Sequence, residues 1–189
     1  GGGTCFAHQS AAFDALEYEQ QEYWSRLSSV NATSGIVHPM VHLHPLTKRN
    51  SVWLHLGMTG AVIMKDPKEN LFRLLDPDEL KILCNQYNDL LNAGFENGYS
   101  INYEYDTNDC LFIDNLAVAH RAAPEAHLPA EKQGLRIMHR STIQAVNSLK
   151  PNFGLPIQLD IYSPSPLGEG VWQPGGIGFR WDDEAPMQN

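Results

Sequence analysis

"DNLAVAHRAAPEAHLPAEKQGLRIMHRSTI", residues 114–143, is the stretch on which the reading of this chain turns. It holds three histidines and three arginines among short apolar runs. Its last part alternates, so we read a strand over 134–144. Leu135, Ile137 and His139 face one way and Arg136, Met138 and Arg140 the other. Guanidiniums on one face of a core strand are costly unless paired, and their planar forks suit a carboxylate. A neutral imidazole suits a first-row metal. Taken alone, His120 reads as a packed or surface histidine. It follows Asp114-Asn115 at a strand end, where site residues gather, and it precedes the two arginines. A metal-bound α-keto acid needs that combination.

Working outward, residues 99–105 and 110–114 alternate on either side of Asp106-Thr107-Asn108-Asp109, which reads as a turn, and a short strand is expected near 117–121. Residues 124–133 read as loop. The clearest helix is "LLDPDELKILCNQYNDLLNAGF", 74–95. Asp76 suits the N-cap, Pro77 the first helical position and Glu79 the third, a capping box. Leu80, Leu83, Tyr87, Leu90 and Leu91 form its apolar stripe. Residues 9–27 have helical spacing in two pieces, broken near Glu17–Glu19. Ile36–His44 and Ser51–Leu56 read as a hairpin around Lys48-Arg49-Asn50. From Lys150 the chain is rich in Pro and Gly, an extended tail that wraps the domain or packs on a partner. Mainly strands with helical inserts, the pattern points to a β-sandwich or barrel decorated by helices.

The chain's 189 residues suffice for one domain with a sizeable core. A net charge of −9 argues against general nucleic-acid binding, because phosphate contacts need a basic surface. No apolar run is long enough to span a membrane. Cys5, Cys84 and Cys110 are odd in number and have no CxxC spacing, so we expect an intracellular reducing compartment without disulfides or a zinc knuckle. No secretory signal is visible. The opening Gly1-Gly2-Gly3-Thr4 has no initiator Met, which reads as an expression scar or as a start inside a larger chain.

Asp114-Asn115, His120 and then "RIMHRSTI" (136–143) resemble the C-terminal motif of the taurine dioxygenase (TauD/TfdA-like) family of Fe(II)/2-oxoglutarate oxygenases. "GGGTCFAHQSAAFDAL" (1–16) is similar to the family segment that follows its first metal motif, and "VHPMVHLHPLTKRNSVWLH" (37–55) to its His-Pro hairpin. The resemblance covers 1–145, with 146–189 a Pro/Gly-rich extension. It implies a double-stranded β-helix, or jelly roll, incomplete at its N-terminal side. His120 would be a metal ligand. Arg136 and Thr4 would bind the distal carboxylate of 2-oxoglutarate, and Arg140 would face the substrate. The implied chemistry uses Fe(II), 2-oxoglutarate and O2 to hydroxylate a small molecule, with anionic ones among the candidates, and yields succinate. The implied partners are that small-molecule substrate and, through the extension, other proteins.

The family's other two metal ligands come from an HxD/E motif. None of His8, His38, His42, His44, His55, His120, His127 and His139 is followed two places later by Asp or Glu. Two readings stand: part of an active dioxygenase, or a catalytically inactive dioxygenase-like subunit with a binding or structural role. His42 and His44 share one strand face with His38 nearby, a candidate zinc or copper pair, although Pro39, Pro45 and the turn suggest an exposed hairpin end. Asp106–Asp109 lacks the Gly and distal Glu of a calcium loop. "WDDE" (181–184) reads as a solvated acidic end, and "GGIGF" (175–179) lacks the context of a dinucleotide loop. His139 is expected to pack rather than ligate.

Overall fold

The computed structural model describes residues 2–68, 71–134, 137–143 and 149–159. The chain is mainly β with a few helices. Its elements are β1 (Thr4–His8), α1 (Gln9–Asp14), α2 (Tyr18–Ser25), β2 (Leu27–Asn31), β3 (Val37–Pro39), β4 (Val41–Leu43) and β5 (Asn50–Val52). There follow β6 (Thr59–Lys65), β7 (Phe72–Leu74), α3 (Pro77–Asn97), β8 (Ser100–Tyr103) and β9 (Val118–Ala122). Short helical turns occupy Pro124–His127, Ala130–Gln133 and Asn152–Gly154. β4 and β5 pair as a two-stranded hairpin. The backbone divides into two compact units.

The first unit comprises Gly1–Leu16, Leu43–Val52 and Asp89–Ser148. Its sheet has the order β8-β1-β9, with β1 antiparallel to both neighbours. His8 ends β1, and its Nδ1 accepts the Ala11 N–H to cap α1. Gln9, fully buried, donates to the Asn115 carbonyl at 3.1 Å. Asp14 at the end of α1 pairs with Arg49. Pairing places Phe6 opposite both His120 and Ile101, and Thr4 opposite both Ala122 and Tyr103, so these residues share one face. Ser100 and Arg121 point from the other face. There Ser100 Oγ donates to the Leu91 carbonyl (2.8 Å) and Arg121 to Asn92 (2.7 Å). The C-terminal part of α3 therefore covers that side of the sheet. The helix stops at Gly98, whose φ of 81° only glycine adopts without strain. Tyr99 N–H then reaches back to the Gly94 carbonyl at 3.0 Å, closing a Schellman motif.

The second unit comprises Glu17–His42, Trp53–Asn88 and Leu149–Asn189. Its antiparallel sheet has the order β3-β2-β6-β7. Val30, Val37, Ala61, Ile63 and Leu74 form the buried cluster on one face, with Phe72, Leu155 and Leu159 packed against it. Trp24 and Tyr87 are fully buried, with ring centroids 6.3 Å apart. The capping box of α3 is formed as expected: Glu79 N–H donates to Asp76 Oδ1 and Asp76 N–H to Glu79 Oε2, both at 2.9 Å. Glu79 also takes both arms of the Arg73 guanidinium at 2.6 Å.

Several expectations change. β2, β6 and β7 carry no turn-bounded alternation and were not foreseen. β6 is buried on both faces from Thr59 to Met64, which erases the period-two signal. The expected strands over 110–114 and 134–144 are not strands where described: 110–114 and 137–143 have irregular backbone. Alternating sequence makes a strand only where a neighbour supplies hydrogen bonds, and no described segment pairs with either stretch. Phe112 is accordingly 95% exposed. His139 is exposed rather than packed. Loop 124–133 contains two helical turns. Within the tail, the Val37 N–H donates to the Ile157 carbonyl and the Leu159 N–H to the Gly35 carbonyl, both at 2.9 Å, so 157–159 runs along β3. "GGIGF" and "WDDE" lie outside the described residues.

Candidate functional site

β1 and β9 bring the first two expected site residues together. Thr4 is buried at the start of β1. His120 is exposed on β9, its ring centroid 6.1 Å from that of Phe6. Strand register puts both side chains on the face opposite α3, one pleat apart. Much of that face is open among the described residues, with Ile101 58% exposed beside them. Arg136 lies outside the described residues. Arg140 is described and exposed, on irregular backbone rather than on a strand.

Two features at this end of the sheet were not foreseen. Tyr105 O–H donates to Thr4 Oγ1 at 3.0 Å. The Tyr105 ring meets that of Tyr103 edge-on at 5.1 Å, and Tyr103 O–H donates to Asp109 Oδ2 at 2.7 Å. Asp109 also accepts the Asp106 N–H, so Asp106–Asp109 is the turn that was expected. The second feature fixes the start of β1. Glu125 is held below the usual carboxylate range by its own N–H, the Asn102 amide and the Gly3 N–H, against partial desolvation. A side chain at Gly3 would place Cβ 2.7 Å from Asn102 Oδ1 and 2.9 Å from both Glu125 Oε1 and the Tyr103 carbonyl, so only glycine fits. The period-two pattern around Tyr103 and Tyr105 hinted at the first feature. The 101-residue separation of Thr4 and Tyr105 hid the pairing.

The remaining histidines sort differently from the expected pair. His44 is buried, and its Nδ1 accepts the Leu46 and Thr47 N–H groups at 3.2 Å. That fixes the proton on Nε2, which donates to Asp114 Oδ2 at 3.0 Å. Desolvation pushes the Asp114 carboxyl up. The Leu116 N–H and the His44 imidazole outweigh it and hold the group below its ordinary value. His44 is thus a turn-capping residue tied to the strand-end aspartate. His42 instead meets His38 edge-on, with ring centroids 5.5 Å apart, and His38 lies 4.5 Å from the Trp53 ring. His38 Nδ1 donates to the Pro39 carbonyl at 2.7 Å. Burial first, and His42 second, push its pKa down to about 4, so the ring is neutral near pH 7. Among the described residues no three His, Cys, Asp or Glu side chains gather as a metal site.

An imidazole and a hydroxyl on one open sheet face can offer a metal one ligand and a carboxylate one hydrogen bond. A family model described as "Taurine catabolism dioxygenase TauD, TfdA family" matches residues 1–142. No curated protein matches the chain. Among solved structures, the chain is similar to a Burkholderia xenovorans protein provisionally described as an alpha-ketoglutarate-dependent taurine dioxygenase, with 18% identity and a TM-score of 0.52 over 66% of this chain and 42% of that one. It is similarly related to a taurine dioxygenase from the same organism, with 19% identity and a TM-score of 0.50 over 68% of this chain and 43% of that one. The chain therefore spans about two fifths of the length of these structures. No described helix is long and apolar enough to cross a membrane.

Proposed function

The chain belongs to the taurine catabolism dioxygenase TauD, TfdA family, and from that premise we propose that it is part of an Fe(II)- and 2-oxoglutarate-dependent dioxygenase. The reaction consumes O2, converts 2-oxoglutarate to succinate and hydroxylates a small substrate, with anionic ones favoured by Arg140. In this reading His120 is a metal ligand, Thr4 and Arg136 hold the distal carboxylate of 2-oxoglutarate, and Arg140 meets the substrate. The observation that carries it is the placement of Thr4 and His120 on one sheet face, inside the family-matching segment.

The fold this implies is a double-stranded β-helix, of which the two sheets described here would be parts. An iron site of this kind needs two imidazoles and a carboxylate. The described residues offer His120 and no cluster of three ligands, so they do not fit the metal by themselves. What this chain's own residues contribute is recognition. A guanidinium at Arg136 would grip the carboxylate through two parallel hydrogen bonds, the Thr4 hydroxyl would add a third, and Phe6 would flank His120 with apolar surface. The single ligand and the exposure of His120 favour a second reading, a non-catalytic dioxygenase-like subunit.

Succinate formation separates the two. A longer protein that holds this chain together with an HxD/E motif, supplied with Fe(II), ascorbate and a panel of sulfonates, carboxylates and amino acids, is expected to turn 2-oxoglutarate into succinate. Arg136→Ala should raise the 2-oxoglutarate KM by a factor corresponding to about 2–5 kcal/mol. Arg136→Lys should recover only part, since an ammonium lacks the planar fork. Arg140→Ala should retain succinate formation and lose substrate hydroxylation. No succinate with any of the panel favours the subunit reading, and unchanged kinetics in both arginine variants removes the arginines from the site.

A further inference from the structure

We infer that Tyr105 is a positioning residue for carboxylate recognition at Thr4, setting the direction of the Thr4 hydroxyl and through it the preference for a dicarboxylic over a monocarboxylic keto acid. The inference rests on the proposed role of Thr4. Its independent support is the hydrogen bond from Tyr105 O–H to Thr4 Oγ1, 3.0 Å long in a partly buried setting.

A threonine hydroxyl rotates, and its hydrogen follows whichever acceptor is nearest. Accepting from Tyr105 occupies one lone pair, so the Thr4 hydrogen must lie away from the Tyr105 oxygen. Recognition then begins from a set rotor instead of a mobile one, and the donated bond polarises the Thr4 O–H toward an anion. Both groups are themselves held. The Tyr105 ring stands edge-on to Tyr103, which Asp109 anchors. The Thr4 backbone follows Gly3, whose N–H meets the Glu125 carboxylate and whose carbonyl accepts the Ala123 N–H at 3.0 Å. The hydroxyl pair thus sits between two fixed supports, as precise hydrogen bonding to a ligand requires.

The test compares Tyr105→Phe, Thr4→Val and the double variant in the complete protein, with binding followed by calorimetry without oxygen, so that no turnover occurs. The ligands are 2-oxoglutarate and 2-oxovalerate, the same carbon chain without the distal carboxylate. Tyr105→Phe keeps the ring and is expected to weaken 2-oxoglutarate binding about three- to tenfold, with 2-oxovalerate binding unchanged. Thr4→Val should weaken it at least as much, and the double variant no more than Thr4→Val alone. In a Thr4→Ser background, which keeps the hydroxyl, the effect of Tyr105→Phe should persist. Multiplicative losses in the double variant, or equal weakening for both ligands, overturn the inference. So does unchanged 2-oxoglutarate binding in Tyr105→Phe while Thr4→Val weakens it, and in that case the role of Thr4 survives. If Thr4→Val itself binds 2-oxoglutarate normally, the assignment of Thr4 falls and Tyr105 with it.

Discussion

His38 shows how far a single side chain's behaviour depends on what folds around it. Its sequence context, Val37-His38-Pro39, is unremarkable, and only the Trp53 ring and His42 make it a group that resists protonation. The unfolded chain protonates this imidazole near its ordinary pKa of 6.5, the folded chain only near 4. Between those values the unfolded state binds the extra proton, so stability rises with pH and is lost as pH falls from 6.5 toward 4. This contribution is fully present above pH 6.5. Its loss amounts to at most about 3 kcal/mol, less what solvent removes at a half-buried position. Urea midpoints at pH 7, 5.5 and 4.5 should fall less steeply in His38→Gln than in the unaltered protein; parallel curves would show that His38 does not control this slope. His44 makes the same point geometrically. The sequence offered it as a partner for His42, and the fold gives it to Asp114, 70 residues away.

Among the elements, α3 was the most legible, because both of its ends are local chemistry. Asp76 and Glu79 lie three residues apart and satisfy each other's N–H groups, and Gly98 adopts the left-handed conformation that ends the helix. One position inside it runs against local rules. Gly94 is helical, and alanine there should gain about 1 kcal/mol by propensity alone. A Cβ at Gly94, however, would stand 2.5 Å from the Tyr99 ring and closer still to Ser100 Oγ, which donates to the Leu91 carbonyl. Overpacking of this kind costs about 1–3 kcal/mol, so Gly94→Ala is expected to destabilise despite the better helix former. Adding Ser100→Ala should restore part of the loss. Denaturant midpoints decide it: a more stable Gly94→Ala would mean the helix end shifts freely. The strands were less legible than the helix. Thr4–His8 reads as the continuation of a motif, yet its partners are β8 and β9, about a hundred residues on.

At the scale of the whole molecule, the tail is the part whose role most needed the structure. Its Pro and Gly suggest an extended tail that wraps the domain or packs on a partner, and its described part takes the first course: Leu155 and Leu159 pack on the Val30, Val37 and Ile63 cluster, and Gln158 Nε2 donates to the Ser34 carbonyl at 2.7 Å. A chain ending at 154 should be less stable than one ending at 159 by roughly 2 kcal/mol, the sum of two half-buried leucines and a few edge hydrogen bonds. Exchange of the Val37 amide should quicken with it, and equal midpoints for the two truncations would assign the tail no structural part. What the sequence determined by itself was whatever short spacings encode: the capped helix, the Asp106–Asp109 turn, the two-piece helix over 9–27 and a family motif strong enough to hold over residues 1–142. What only the tertiary structure decided was pairing: which histidine meets which acid, that Tyr105 meets Thr4, which sheet face stays open, and that the alternating run before Ile143 has no described strand beside it. The physical reason is range. A cap or a turn closes its hydrogen bonds within a few residues and leaves its signature there. A strand, or a buried imidazole, is completed by atoms far along the chain, and sequence spacing carries no record of which ones.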